Sequence, residues 1–187
     1  MNRRKLIAAI VGASLAGLAA FAAIEGHHAI LRDDEDYDDD DEGGLAAVAR
    51  ALTFAKVSLQ QGLKAGELEG QPISAKFEVD RGNFQLSVYT SRGGRFSEVL
   101  VDYRTGNIVK VQPITEHYHL AAAQLQSAAM AKANTSLLQV VENAVGQAPG
   151  SRAISVMPEV RAGRAMASVV LLRKEEEKFQ VIRQEPE

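Results

Sequence analysis

Ile73-Ser74-Ala75-Lys76-Phe77-Glu78-Val79-Asp80-Arg81-Gly82-Asn83-Phe84-Gln85-Leu86-Ser87-Val88 decides the fold class. Apolar Ile73, Ala75, Phe77 and Val79 alternate with polar Ser74, Lys76, Glu78 and Asp80, the period of a half-buried strand. Asp80-Arg81-Gly82-Asn83 reads as a tight turn, and Phe84, Leu86 and Val88 resume the alternation on a second strand. Ser91-Arg92-Gly93-Gly94-Arg95 turns the chain again into a third strand, Phe96 to Tyr103. Upstream, Leu45, Val48, Leu52, Ala55, Leu59 and Leu63 recur at spacings of three and four, the stripe of one amphipathic helix closed by Gly66.

The same order returns downstream. Leu120 to Lys132 and Thr135 to Val145 are helical in pattern, and Gly146 to Gly150 breaks them. Strands are expected at Ala153 to Val160, Ala165 to Arg173 and Lys178 to Arg183, with turns at Arg161 to Arg164 and Lys174 to Glu177. At a shift of 81 residues Ile73 falls on Ile154, Ser74 on Ser155, Val79 on Val160, Gly82 on Gly163 and Val88 on Val169. That correspondence marks an internal duplication. The uninterrupted Val169-Val170-Leu171-Leu172 calls for a strand covered on both faces. The expected architecture is α+β, with two tandem modules, each a helix packed on its own three-stranded antiparallel sheet.

Ahead of the first module the chain changes character twice. Arg3, Arg4 and Lys5 precede an apolar run from Leu6 to Ile24, the order of a secretory signal. Small residues at Ala20 and Ala22 place cleavage after residue 22; the alternative is an uncleaved anchor formed by residues 6–24. From Asp33 to Glu42 nine of ten residues are acidic, interrupted by Tyr37. Like charges this dense repel, so residues 23–42 read as a solvated, disordered spacer. Carboxylates also suit hard cations, so Asp33, Asp34, Asp36, Asp38 and Asp40 are candidate ligands for weak calcium or magnesium, though no EF-hand spacing is present. From Gly43 onward 17 basic and 14 acidic residues remain, a mildly basic balance.

The composition removes much of the enzyme repertoire. With no cysteine, disulfide scaffolds, thiolate zinc sites and thiol nucleophiles are excluded, and no G-x-S-x-G, H-E-x-x-H, P-loop or G-x-G-x-x-G occurs. His117 and His119 provide at most two ligands and read as solvated residues of a linker between the modules, residues 43–114 and 117–187. Gly93-Gly94 is a hairpin turn rather than a phosphate cradle, since no helix follows it.

With Phe84-x-Leu86-x-Val88-Tyr89 and Val101-Asp102-Tyr103-Arg104-Thr105-Gly106-Asn107-Ile108-Val109, the helix and three-strand order resembles the PepSY domain. In its D-x-x-T-G ending, Asp102 and Thr105 set a turn by side-chain to backbone bonding, and Gly106 takes positive φ before a last short strand. The resemblance covers Thr53 to Val111 and, in a copy that lacks this turn, Thr135 to Arg183. It implies a module without a catalytic constellation, of the kind found in metallopeptidase propeptides and small exported bacterial proteins that inhibit proteases or bind envelope partners.

Six arginines fall in or beside turns: Arg81, Arg92, Arg95, Arg104, Arg161 and Arg164. They are the candidate partner-binding residues, suited to an acidic surface or to the chain's own acidic tract. The reading that results is a non-catalytic, exported, periplasmic binding or regulatory protein, with no cofactor. Its expected partner is an envelope protein, a protease or a sensor ectodomain, and a sheet edge would receive the partner's strand. Nucleic acid is not expected, and a membrane only if the signal is retained. The alternative is a low-affinity divalent-cation-responsive protein using the acidic tract.

Overall fold

Hairpin alternation survives into the structure, but the edges on which the hairpins meet reorganise the whole. The computed structural model describes residues 40–173 and 178–184. Its elements are α1 (Asp40–Leu52), α2 (Leu59–Gly66), β1 (Gln71–Asp80), β2 (Asn83–Arg92), β3 (Arg95–Val101), β4 (Ile108–Pro113), α3 (His117–Met130), α4 (Leu137–Gln147), β5 (Ser151–Arg161), β6 (Arg164–Arg173) and β7 (Lys178–Gln184). All seven strands form one antiparallel sheet in the order β4-β3-β2-β1-β5-β6-β7. The expectation of a separate three-stranded sheet for each half gives way to one continuous sheet. The first half contributes four strands, because the chain returns along β3 after the Asp102 turn.

The halves join through β1 and β5, where Ala75 pairs with Val156 and Lys76 with Ser155. Val156 stands 81 residues after Ala75, so at the centre of the sheet a residue pairs with its own counterpart. A two-fold relation between the halves requires this pairing. Local irregularities obey the same shift: β1 is bulged between Pro72 and Ser74, and β5 between Ala153 and Ser155. The turns match as well, with positive φ at Arg81 and Gly82 and again at Ala162 and Gly163.

Helix positions are related by a shift of 78, set by their N-caps. Ser58 caps α2 and accepts from the Gln61 N–H; Ser136 caps α4 and accepts from the Gln139 N–H. The buried face of α2, Leu59, Gly62, Leu63 and Gly66, becomes Leu137, Val140, Val141 and Ala144 in α4. The single helix expected over Leu45 to Leu63 is instead two, because Thr53 to Val57 leave helical geometry and Ser58 opens a capping box with Gln61.

Successive strand residues point to opposite faces. Val88, paired with Ala75, faces Gly66 of α2, whereas the neighbouring Ser74 donates its hydroxyl to Gln126 Oε1 of α3 at 2.8 Å. α2, which packs on α4, therefore covers one face and α3 the other. This explains Val169 to Leu172, buried throughout on β6 between α3 and α4. It also corrects the half-buried reading of β1, since Ser74, Lys76 and Glu78 are buried rather than solvated. One apolar cluster runs through both halves, from Val48 and Leu63 to Val141 and Leu171.

Candidate functional site

The Asp102 turn organises the first end of the sheet. Asp102 Oδ1 accepts from the N–H groups of Arg104 and Thr105, both at 2.8 Å, and the Gly106 N–H donates to the Asp102 carbonyl at 2.8 Å. Those two amides, Thr105 first and Arg104 second, hold the Asp102 carboxyl below the usual carboxylate range. Gly106 has φ +81°, as the motif requires. The turn's Tyr103 carbonyl accepts from Lys56 N–H at 2.9 Å and Val57 N–H at 3.0 Å. It thereby fixes the connection between α1 and α2.

A residue that sequence reasoning passed over holds that connection from the other half. Arg152 Nη1 donates to the carbonyls of Leu52 at 3.2 Å and Ala55 at 3.0 Å, Nη2 donates to Val57, and the guanidinium lies 5.4 Å from the centre of the Phe77 ring. Burial lowers its pKa from the ordinary guanidinium value. Its counterpart at the shift of 81 is Gln71, so the only available sequence signal was a charge on one copy and none on the other.

From the Asp102 turn the chain enters β4, an outer strand of the sheet. The Ile114 N–H donates to the Phe96 carbonyl at 2.9 Å, which makes Ser97 and Pro113 a non-hydrogen-bonded pair. By alternation Val99 and Val111 are another, so the backbone N–H and C=O of Val111 point away from β3. Pro113 faces the same way and lacks only an outward donor. Val109 is 67% exposed and Val111 42%. The strand is fastened from inside: Gln112 Nε2 donates to Glu98 Oε2 at 2.6 Å, and Glu98, 3% exposed, also accepts from the Tyr89 hydroxyl at 3.4 Å.

A polar cluster continues on that face. Lys76 Nζ lies 2.7 Å from Glu78 Oε2, while Glu78 Oε1 accepts from Ser87 Oγ at 2.7 Å and Gln85 Nε2 at 3.0 Å. Both charges are buried and paired, and Glu78 is further hydrogen-bonded, an arrangement that favours persistence of a buried ion pair.

The six arginines separate. Arg81 and Arg104 sit at the end with the β1–β2 and β3–β4 turns; Arg92, Arg95, Arg161 and Arg164 sit at the opposite end. Strands of this length put roughly 30 Å between the ends, so no single surface collects all six. Arg104 lies over the Tyr103 ring at 5.4 Å, Arg92 donates to the Leu68 carbonyl at 2.6 Å, and Arg161 pairs with Glu159 at 3.0 Å.

His117 and His119 are not linker residues: they open α3, and His119 is 2% exposed with Nε2 3.6 Å from Glu116 Oε2. Asp33, Asp34, Asp36 and Asp38 lie outside the described residues, as does the apolar N-terminal run. Asp40 begins α1, so the acidic stretch ends inside a helix, not in a spacer reaching residue 42. Among the described residues no group of three or more potential ligands converges, and no helix is long and apolar enough to cross a membrane.

No family model matches the chain, and no curated protein does. A crystal structure described as a candidate lipoprotein of Clostridium difficile 630 aligns over 65% of this chain and 88% of its own, at 11% identity and a TM-score of 0.31. A likeness this distant carries no argument about fold or function.

Proposed function

We propose that the chain is an exported, non-catalytic binding protein, built from two PepSY-like halves, that receives an extended segment of an envelope protein along the outer edge of β4. The observation that supports this reading is the pairing of a backbone edge that no described strand covers with exposed Val109 and Val111 on a strand anchored through Gln112 and Glu98. A preordered edge contributes main-chain hydrogen bonds at low ordering cost, and alternate side chains supply selectivity. Export rests on the N-terminal sequence, Arg3-Arg4-Lys5 followed by the apolar run.

The test is affinity capture from envelope extracts with the tagged mature chain, run beside Val111→Pro, which deletes one outward N–H without touching the β3 ladder. A partner held by wild type and lost by Val111→Pro supports edge addition. Equal recovery by both sinks it. Replacing Asp33 to Glu42 by Asn and Gln should change mainly the salt dependence of capture.

A further inference from the structure

We infer that the cleft beneath the C-terminal end of α1 binds a small anionic amphiphile, a carboxylate or phosphate head on a short apolar body. The cleft has a volume of about 830 Å³ and lies between α1, the start of β5 and the end of β6. Ala46, Ala49, Leu52, Ala55 and Leu172 supply an apolar wall. Arg50, Arg152 and Arg173 line it as well, and among the described residues no acidic one does.

Arg152 gives the cleft its chemistry. A guanidinium has five N–H donors, and the carbonyls of Leu52, Ala55 and Val57 take three. Two donors remain, Nε–H and one on Nη2, the number that a carboxylate or phosphate accepts in a bidentate pair. Carbonyl partners satisfy hydrogen bonds but bring no negative charge, and among the described residues no carboxylate pairs with this half-buried guanidinium. Arg50, exposed at the rim, adds a second cation on α1.

Arg152 holds the bend here, but the other half shows that a bend of this kind can be built with an uncharged residue at the equivalent position. Where the other half makes the matching bend between α3 and α4, the cleft is about 280 Å³ and is lined by Gln71 in place of Arg152, with Glu67 as its charged residue. Lys132 lies within that bend but is exposed and outside the lining of its cleft, so no described cation sits where Arg152 does. A head group on Arg152 and Arg50 with its apolar body along Ala46, Ala49 and Leu172 uses both features that distinguish the larger cleft.

The experiment is calorimetric titration of the full chain with octanoate, octyl phosphate, 1-octanol and inorganic phosphate. One octanoate or octyl phosphate should bind per chain, at least tenfold tighter than 1-octanol, and the tighter of the two identifies the head group. Arg50→Gln, which removes a rim charge that holds no element in place, should weaken that probe roughly tenfold. Thr53→Trp, an exposed loop position at the cleft, gives up the Thr53 hydroxyl bond to the Arg50 carbonyl but should block binding while the cooperative melt is retained. The proposal fails if neither amphiphile binds, if 1-octanol matches them, if inorganic phosphate binds as tightly as octyl phosphate, or if both variants titrate like wild type.

Discussion

In the first half of the chain the helix is small where it meets the sheet and the strand is large; in the second half the sizes are exchanged. A Cβ placed on Gly62 of α2 would come within 2.6 Å of the Leu86 side chain on β2. At the equivalent positions stand Val140 on α4 and Ala167 on β6, both buried. Methyl groups have moved from strand to helix while the pair keeps a similar volume. A duplicated core therefore conserves filled space rather than residue identity, as close packing requires. The polar positions diverge differently: Arg152 binds the first half's bend, and its counterpart Gln71 is exposed.

Separating the halves should produce the largest effect. A fragment of residues 43–115 keeps β1 to β4 but loses β5 from the β1 edge and α4 from the flank of α2. It should show no cooperative melt by circular dichroism, because its share of the common core is exposed. A fragment that melts cooperatively would restore two independent modules.

Next comes the exchange of sizes. Leu86→Ala should cost about 2–5 kcal/mol and Gly62→Val about 1–3 kcal/mol. The double variant recreates the second half's pairing and should be more stable than the sum of the two losses implies, by 1 kcal/mol or more in a denaturant cycle. Strict additivity would mean that the two positions do not share one space.

Arg152→Gln should destabilise by about 1.5–3 kcal/mol, since it strips a charged donor from the bend carbonyls, while Gln71→Ala should stay within about 0.5 kcal/mol. Equal losses would erase the polar asymmetry between the halves.

The smallest effects belong to the turn that the second half lacks. Gly106→Val should cost on the order of 1 kcal/mol through its positive φ. Because Asp102 is depressed in the folded chain, its stabilisation is present above the unfolded carboxylate pKa, about 4, and is lost as pH falls through the lower folded value. Asp102→Asn should therefore flatten this part of the acid-side decline in melting temperature. An unchanged decline would remove the carboxylate from the account.

Local features were legible from the residues alone. Period-two alternation located the strands, Gly82 and Gly163 marked the turns, and the shift of 81 exposed the duplication, because each depends on neighbours a few residues apart. The break of the first helix was half legible: Ser58-x-x-Gln61 is a capping signature, but the apolar stripe runs across the bend without losing its spacing. What holds the bend open lies far along the chain, in the Tyr103 carbonyl and the Arg152 guanidinium. Tertiary structure alone decided that β1 meets β5, that α3 buries Ser74 with the Lys76–Glu78 pair on the same sheet face, and that Val109 and Val111 remain on an open edge. A strand pattern states which side is apolar, not which edge finds a partner, and that choice follows from how two similar halves bury the most surface together.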